Sequence, residues 1–463
     1  MSKNEELREK LFYSAEHACK KISDDELKTA DGFAEGYKKF MATCKTEREV
    51  VNFVKKLAHE NGFVTFDPKA SYKTGDKVIY NNRGKAVLLA VIGKRPVEEG
   101  VRIAAAHIDS PRLDLKPNPL YEEAEFALFK THYYGGIKKY QWTAIPLSLH
   151  GVIVKADGTT VDVNIGEDAG DPKFVVTDLL PHLAAEQMKR SLAEGIKGEE
   201  LNILIGSRPF KDDEGSESVK LNIMNILNEK YGIVEADFLS AELEAVPAFG
   251  ADDIGFDRSL IGAYGHDDRV CAYPGVMAIL EAGVPEYTAI TALADKEETG
   301  SEGNTGFNSS YYADFIEHLA RMQGGIGSIA LGNSECLSAD VNAAFDPTFP
   351  GVFEKMNTSF ANKGIVVTKY TGSRGKGGTS DASAEFMGRV RRLFDENGVV
   401  WQVGELGKVD EGGGGTVAKY VASHNIDVVD VGVPVLSMHA PYEVISKLDL
   451  YMAYKGFLTF FTK

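Results

Sequence analysis

The chain has 463 residues, of which 43% are hydrophobic and 26% are charged, a composition typical of a globular protein with enough core for two domains. Its formal net charge of −17 argues against a general affinity for nucleic acids or anionic membranes, because both bind positively charged surfaces. The polar N-terminus has no apolar signal segment, and no apolar stretch reaches the length of a membrane span. The four cysteines lack C-x-x-C spacing, so we expect reduced thiols and a cytoplasmic protein.

The first elements along the chain are predicted from the spacing of apolar residues. Residues 37–63 are expected to be helical, because Phe40, Val51 and Leu57 fall near helical spacing. A hairpin is expected over residues 72–84, and strands are expected at residues 86–93 and 101–106.

The chain changes character after residue 113. Up to residue 246 it contains short β-like runs, such as residues 144–155 and 160–165, separated by glycine-rich turns. Strands then alternate again with helices from about Asp267 onward. This pattern predicts an α/β domain that is interrupted by a β-rich insertion.

The most informative run is Asp295-Lys296-Glu297-Glu298, which directly follows an apolar strand predicted at residues 287–294. Two neighbouring carboxylates at the end of a strand repel each other unless a cation or a shared proton relieves them. One of them could bind a metal ion while the other takes a proton from water. A solvated acidic turn is the alternative if the pair is considered alone.

Further candidate ligands follow other apolar segments. His107 and Asp109 come directly after the strand at residues 101–106, and a ligand imidazole usually donates its second N–H to a carboxylate or carbonyl. Asp267 and Asp268 precede an apolar helix at residues 270–280, where they could instead serve as helix caps. Two more candidates also lie at the edges of apolar segments: Asp340 and His439.

Histidines and carboxylates at the ends of several strands form a mixed nitrogen and oxygen ligand set. Zn²⁺, Mn²⁺ and Co²⁺ accept such ligands. A site for two ions roughly 3.5–4 Å apart, with one carboxylate between them, would use all of these residues.

The ordered series of motifs resembles the M18 family of co-catalytic metalloaminopeptidases, which includes aspartyl aminopeptidase and vacuolar aminopeptidase I. The resemblance covers roughly residues 30 to 460. The motifs that carry it are His107-Ile-Asp109-Ser-Pro-Arg-Leu, Tyr134-Gly135-Gly136, Pro181-His182-Leu183-Ala184, Asp267-Asp268, Glu297-Glu298, Ser338-Ala339-Asp340 and Gly432-Val-Pro-Val-Leu-Ser-Met-His439.

The resemblance assigns metal-binding roles position by position. It implies that His107 binds one metal, that Asp267 bridges both, and that Asp340 completes the shell of the first. Glu298 and His439 would then bind the second metal. Both ions are expected to be Zn²⁺, with Co²⁺ or Mn²⁺ as alternatives. His266 is a tempting extra ligand, but the family offers no such role.

The same resemblance implies the reaction. A hydroxide held between the two metals would attack the first peptide bond of a substrate with a free N-terminus. Glu297 would act as general base and then as acid toward the leaving amine, and Asp109 would orient His107. Asp268 would shape the turn and is not expected to be a ligand.

The fold implied by the resemblance is α/β. It has a mixed sheet flanked by helices and an inserted β-rich dimerisation domain. We expect the catalytic domain at residues 1–114 and 249–463, and the insertion at residues 115–248. Family members assemble as large homo-oligomers, so a homo-dodecamer built from dimers is expected, with no nucleic acid or membrane partner.

Substrate recognition is less defined by the sequence. Lys369 is a candidate for binding an acidic side chain, and Lys376 lies in a glycine-rich loop at residues 373–379 that either faces the substrate or is a simple exposed turn. Gly413, in the glycine run at residues 412–415, offers backbone amides for a substrate carbonyl.

The chain departs from the aspartyl branch of the family at two positions. That branch has histidines where this chain has Ala343 and Glu186. The sequence therefore leaves open whether acidic or neutral N-terminal residues, such as Leu or Met, are preferred. It also leaves two other functions to be tested: a related di-zinc carboxypeptidase or amidohydrolase, and a binding protein without activity.

Overall fold

The computed structural model describes residues 3–463. Elements are numbered in chain order. The helices are α1 (Lys3–Leu11), α2 (Asp24–Thr43), α3 (Glu47–Glu60), α4 (Ser218–Tyr231), α5 (His266–Glu281), α6 (Tyr311–Met322), α7 (Gly327–Gly332), α8 (Ala384–Glu396), α9 (Ala418–Ala422) and α10 (Lys447–Thr462).

The strands form three sheets. The largest sheet has the spatial order β1 (Val64–Thr65), β2 (Lys77–Asn82), β3 (Ala86–Val91), β14 (Thr288–Ala294), β4 (Val101–His107), β15 (Glu335–Ser338), β19 (Asp427–Gly432), β17 (Ile365–Thr368) and β18 (Trp401–Val403). The second sheet has the order β8 (Thr160–Ile165), β7 (Leu147–Val154), β11 (Ala241–Pro247), β5 (Arg112–Glu123), β6 (Phe126–Tyr134), β10 (Ile203–Gly206) and β9 (Val175–Val176). The third has the order β12 (Asp252–Ile254), β13 (Leu260–Ala263), β21 (Glu443–Ser446), β20 (Pro434–Leu436) and β16 (Asn342–Ala343).

The centre of the large sheet is parallel. Strands β14, β4, β15 and β19 run in the same direction, whereas β3 and β17 pair with this group in the antiparallel direction. The predicted α/β fold with a mixed sheet is confirmed. Because parallel strands end at the same edge, the residues that follow β4, β14 and β15 meet there.

Helices cover both faces of the large sheet, so its central strands are buried on both sides. Alternate residues of β4 enter different cores: Ala104 and Ala106 pack with α2, α3, α5 and α10, whereas Ile103 and Ala105 pack with α6 and α7. This two-sided burial fixes the register of the strand and therefore the position of His107 at its end.

The predicted helical segment at residues 37–63 is interrupted. Helix α2 ends at Thr43, and α3 begins at Glu47 after the N-cap residue Thr46. Thr46 accepts a hydrogen bond from the backbone of Glu49, whose carboxylate accepts one from the backbone of Thr46. This capping box starts a new helix within the predicted one.

The second sheet is built from residues 112–247 and has its own core around Trp142, close to the limits expected for the insertion. Its role in forming dimers remains a prediction. It meets the remainder of the chain through a buried charged cluster. His150 lies 2.8 Å from Glu49 and 3.0 Å from Glu167, and Lys45 lies 2.8 Å from Glu167.

The predicted strand at residues 428–435 is divided between two sheets. Residues up to Gly432 form β19 in the large sheet, and Pro434 begins β20 in the small sheet. A side chain at Gly432 would lie 1.7 Å from the carbonyl oxygen of Asp340, so the close approach of the two backbones requires glycine. Among residues 3–463, no helix is both long and apolar enough to span a bilayer.

Candidate metal centre

The candidate residues converge at the carboxyl edge of the large sheet. His107 is the last residue of β4, Glu297 and Glu298 lie in a 3₁₀ turn just after β14, and Asp340 lies two residues after β15. The other two come from the small sheet and its neighbourhood. Asp267 lies at the start of α5, where its backbone is not yet helical, and His439 follows β20.

Asp267 lies between the two histidines. Its Oδ1 is 2.9 Å from Nε2 of His107, and its Oδ2 is 3.2 Å from Nε2 of His439. Burial alone raises the pKa of Asp267, but hydrogen bonds from both imidazoles outweigh this effect and lower the pKa below its usual value. One carboxylate therefore presents each of its oxygens to a different imidazole, which is the arrangement that a ligand shared by two metals requires.

The remaining carboxylates lie on either side of Asp267. Oδ1 of Asp340 is 4.0 Å from Nε2 of His107, and Oε1 of Glu298 is 3.5 Å from Nε2 of His439. Asp267, Glu298 and His439 lie close enough together to hold one ion, and so do His107, Glu297 and Glu298. Asp267 and Asp340 both approach Nε2 of His107, which makes these three residues a further candidate set. Nitrogen and carboxylate oxygen are the donors that zinc accepts.

Glu298 gives a direct test of whether a cation fits. Its Oε1 is buried and has no hydrogen-bond partner. Burial and the charge of Asp267 raise the pKa of Glu298 well above its usual value. Burying such an oxygen without a partner is costly, and a divalent ion would satisfy it. The residues present thus fit a metal centre.

Asp268 lies behind this centre. It is fully buried, and its Oδ2 accepts a hydrogen bond of 3.3 Å from the backbone N–H of His107. Distances also allow it to share an ion with His107 and Asp340. We favour the set with Asp267, because Asp268 already positions the backbone of a ligand, whereas Asp267 faces both imidazoles.

His266 points away from the centre. Its Nδ1 is 2.7 Å from the hydroxyl of Tyr37, and its Nε2 is 3.1 Å from the carbonyl of Ile261. Burial lowers the pKa of His266 to about 3. It is therefore a neutral core residue whose nitrogens both have partners, and it is not available as a ligand.

Asp109 holds three parts of the centre together. Nδ1 of His107 lies 3.0 Å from the carbonyl oxygen of Asp109 and 3.3 Å from its Oδ1. The backbone N–H groups of Glu297 and Glu298 donate to its two carboxylate oxygens at 3.1 and 3.2 Å. Asp109 therefore fixes the orientation of His107, whose Nε2 faces the carboxylate of Asp267.

Two residues of the second sheet and its following turn also contact the centre, and sequence reasoning assigned them no role. The hydroxyl of Tyr134 donates to Oδ2 of Asp109 at 2.8 Å. The Nδ1–H of His439 donates to the carbonyl oxygen of Gly136 at 2.8 Å. The motif Tyr134-Gly135-Gly136 was the available signal, but contacts over such sequence distances cannot be obtained from spacing.

Glu443 is a third residue that sequence reasoning missed. Its carboxylate accepts the backbone N–H of His439 at 2.6 Å and that of Asp267 at 3.0 Å. Burial and the charge of Asp267 raise the pKa of Glu443 to about 8. It fixes the relative positions of two candidate ligands that come from different segments.

Glu297 faces the open side of the centre. Its Oε2 is 3.9 Å from Nε2 of His107. Burial, with the negative charge of Asp267 and Asp109, raises the pKa of Glu297 to about 7. A carboxylate with this pKa can both accept and donate a proton near neutral pH.

A cleft of about 540 Å³ opens in front of Asp267, Glu297 and His439. Gly413 is among the residues that line it. A side chain at Gly413 would lie 1.9 Å from the carbonyl oxygen of Gly372, so the two glycine-rich loops pack directly on each other.

The two lysines predicted to bind substrate do not line this cleft. Lys369 forms an ion pair with Asp381, and Nζ of Lys376 lies 2.9 Å from the same carboxylate. Lys419, which sequence reasoning did not single out, does line the cleft.

Comparisons with known proteins identify the family to which the chain belongs. Residues 40–461 match the family model described as aminopeptidase I zinc metalloprotease (M18). The chain is 50% identical over 458 residues to a probable M18 family aminopeptidase 1 of Clostridium acetobutylicum, covering 97% of this chain and 98% of that protein.

Solved structures give the same result. The crystal structure of an M18 family aminopeptidase from Thermotoga maritima superimposes with a TM-score of 0.94 at 44% identity, covering 98% of this chain and all of the other. A structure of the S. cerevisiae mApe1 dodecamer shares the fold with a TM-score of 0.76 at 20% identity, covering 93% of this chain and 96% of the other.

Both the matched length and the level of identity confirm the family predicted from the motifs. A family model that spans nearly the whole chain leaves no large segment unaccounted for. The chain belongs to the M18 family of zinc metalloaminopeptidases.

Proposed function

We propose that this aminopeptidase is a co-catalytic enzyme with two divalent ions. The observation that carries the proposal is the position of Asp267, whose two oxygens face two different imidazoles at 2.9 and 3.2 Å. Asp340 and Glu298 lie beyond the two imidazoles and supply one further carboxylate for each ion. The mixed ligand set favours zinc, with cobalt or manganese as alternatives.

When bound, two such ions would lower the pKa of a water molecule and polarise the peptide carbonyl. Glu297 would accept the proton of the attacking water, because it faces the cleft and burial raises its pKa to about 7. It would then pass that proton to the leaving amine. Asp109 would keep His107 and the turn that carries Glu297 in place throughout.

The cleft also accounts for action at the N-terminus. The free amine of a substrate would find several carboxylates in the lining of the cleft, among them Asp267, Glu298 and Asp340. The amides near Gly413 would be available to a substrate carbonyl. A peptide blocked at its amine would lose this interaction.

The proposal is tested by measuring initial rates with metal-stripped protein reloaded with zinc, cobalt or manganese. The substrates are dipeptides that begin with Leu, Met, Asp or Glu, together with N-acetylated forms. We expect metal-dependent release from free amines and none from acetylated peptides. Activity on acetylated peptides alone would favour a related di-zinc carboxypeptidase or amidohydrolase, and the substrate series would settle acidic against neutral preference.

The role of Glu297 is tested by Glu297→Gln. We expect metal content and melting temperature close to those of the wild type, with a loss of turnover of about 10²–10⁴-fold. The control is Glu302→Gln, which removes an exposed carboxylate a few residues away. Near-full activity of Glu297→Gln would contradict its assignment as the base.

We also propose that the protein assembles as a homo-dodecamer built from dimers. The support is the shared fold with the dodecameric yeast protein and the extra sheet formed by residues 112–247. Part of that region exposes several apolar side chains to solvent in the single chain, among them Leu183, Met188 and Leu192. Size-exclusion chromatography with light scattering gives the mass; a monomer would contradict the proposal.

A further inference from the structure

Lys419 places a positive charge in the cleft that contains the metal centre. It lies on α9 and lines the cleft together with Asp267, Glu297 and His439. Among the side chains that the structure describes, none forms an ion pair with Lys419, in contrast to the pairs of Lys369 and Lys376 with Asp381. Its contact is with the ring of Tyr420, whose centroid is 4.6 Å away.

The position of Lys419 is fixed by its neighbours. Val417, Ala418 and Val421 are almost completely buried in the core beneath α9. The hydroxyl of Tyr420 donates to the carbonyl oxygen of Gly300 at 2.7 Å, which ties α9 to the turn that carries Glu297. The backbone of Lys419 is thus anchored to the metal centre, while its side chain remains partly exposed in the cleft.

With two divalent ions bound, the cleft would have no carboxylate left to balance the positive charge of Lys419. Two divalent ions would be matched by the carboxylates of Asp267, Glu297, Glu298 and Asp340. The lysines of the neighbouring loop are different, since Lys369 and Lys376 share Asp381. An ammonium group in a partly enclosed cleft attracts an anion. A hydrogen bond between two such charged groups is stronger than one between neutral groups.

We propose that Lys419 binds a carboxylate of the substrate, and this inference rests on the proposed aminopeptidase function. A cleft of about 540 Å³ has room for a short peptide. In the proposed complex with a di- or tripeptide, the amine lies at the carboxylates of the metal centre and the α-carboxylate at the ammonium of Lys419, because both line the same cleft. The same chemistry would also serve an acidic side chain, and substrates can distinguish the two sources.

The test compares Leu-Gly with Leu-Gly-amide, which differ only in the terminal carboxylate. In Lys419→Gln, we expect the KM for Leu-Gly to rise about tenfold with little change in kcat, and the KM for Leu-Gly-amide to stay the same. Lys419→Arg should restore most of the affinity for Leu-Gly. The control is Lys56→Gln, which removes an exposed charge on α3.

Each other outcome has a defined meaning. A selective loss on Asp-Gly-amide, with Leu-Gly unaffected, would support carboxylate binding and assign it to an acidic side chain. An equal change on Leu-Gly and Leu-Gly-amide, or no change on any substrate, would overturn the inference. If the wild type releases no amino acid from any of these substrates with any metal, the proposed function itself fails.

Discussion

Replacing Tyr134 by Phe removes the hydroxyl that donates to Asp109 and that accepts a longer hydrogen bond of 3.5 Å from Thr299, and it leaves every candidate ligand in place. The hydroxyl of Tyr134 donates to Oδ2 of Asp109 at 2.8 Å, and the same oxygen accepts the backbone N–H of Glu298. Although burial raises the pKa of Asp109, the hydrogen bond and charge of His107 lower it below its usual value, so the carboxyl is ionised.

The size of the effect follows from this geometry. Hydrogen bonds to charged groups contribute about 1.5–3 kcal/mol, and changes to the partners of metal ligands reduce metal affinity about 10–100-fold. Two backbone donors remain on Asp109 in the variant. We therefore expect zinc affinity about tenfold weaker than that of the wild type, at the lower end of this range.

Zinc affinity is measured by competition with a chromophoric chelator, and the absorbance of the cobalt-loaded protein reports the ligand geometry. Tyr133→Phe is the matched control, because that neighbouring ring is 38% exposed and makes no hydrogen bond to Asp109. A zinc affinity of Tyr134→Phe within about twofold of the wild type would refute the reasoning.

Three further predictions concern stability and loop packing. Removing the ions with a chelator should lower the melting temperature by several degrees, because bound ligand stabilises the folded state by mass action; scanning calorimetry before and after reloading checks this. Burial alone lowers the pKa of His150, but hydrogen bonds to Glu167 and Glu49 raise it above its usual value. The contribution of His150 to the free energy of unfolding should therefore be complete below about pH 6.5 and be lost as the pH rises through the raised pKa. Urea unfolding at several pH values should show this fall in the free energy of unfolding, and in His150→Gln the fall should be smaller. Gly413→Ala should raise KM at unchanged zinc content, because a methyl group at this position would lie 1.9 Å from the carbonyl of Gly372; unchanged kinetics would contradict the tight packing of the two loops.

Much of the candidate centre could be predicted because several of its residues lie at or just after the end of an apolar strand. His107 ends β4, the Glu297 turn follows β14, and Asp340 follows β15. Apolar strands are visible in the sequence, and the carboxyl ends of parallel strands meet at one edge. The apolar pattern of the strands and the shared edge of a parallel sheet are therefore sufficient to predict that these side chains lie close together.

The supporting contacts could not be predicted because they join distant parts of the chain. His439 donates to the carbonyl oxygen of Gly136, which is 303 residues away, and Glu443 holds two segments through its carboxylate. Such contacts depend on how three sheets pack against each other. No periodicity in the sequence records that arrangement.

The failures of the element predictions have similar causes. The helix predicted over residues 37–63 is divided by the capping box of Thr46 and Glu49, which is a side-chain effect superimposed on continuous apolar spacing. The strand predicted at residues 428–435 changes sheets after Gly432, where the backbone of Asp340 comes close. In the first case a local hydrogen-bond pair divides an apolar segment, and in the second the segment passes close to a residue from a distant part of the chain.

The hydrogen bonds that reach the metal centre from Tyr134 and Gly136 limit how the enzyme can be redesigned. Excising the inserted sheet would remove a donor from Asp109 and the acceptor of His439, so a truncated protein would not be a smaller enzyme with the same ions. The second sheet and its following turn thus hold two residues of the candidate metal centre in place. A force that tilts this sheet would therefore reach two of the candidate ligands, His107 through Asp109 and His439 through Gly136.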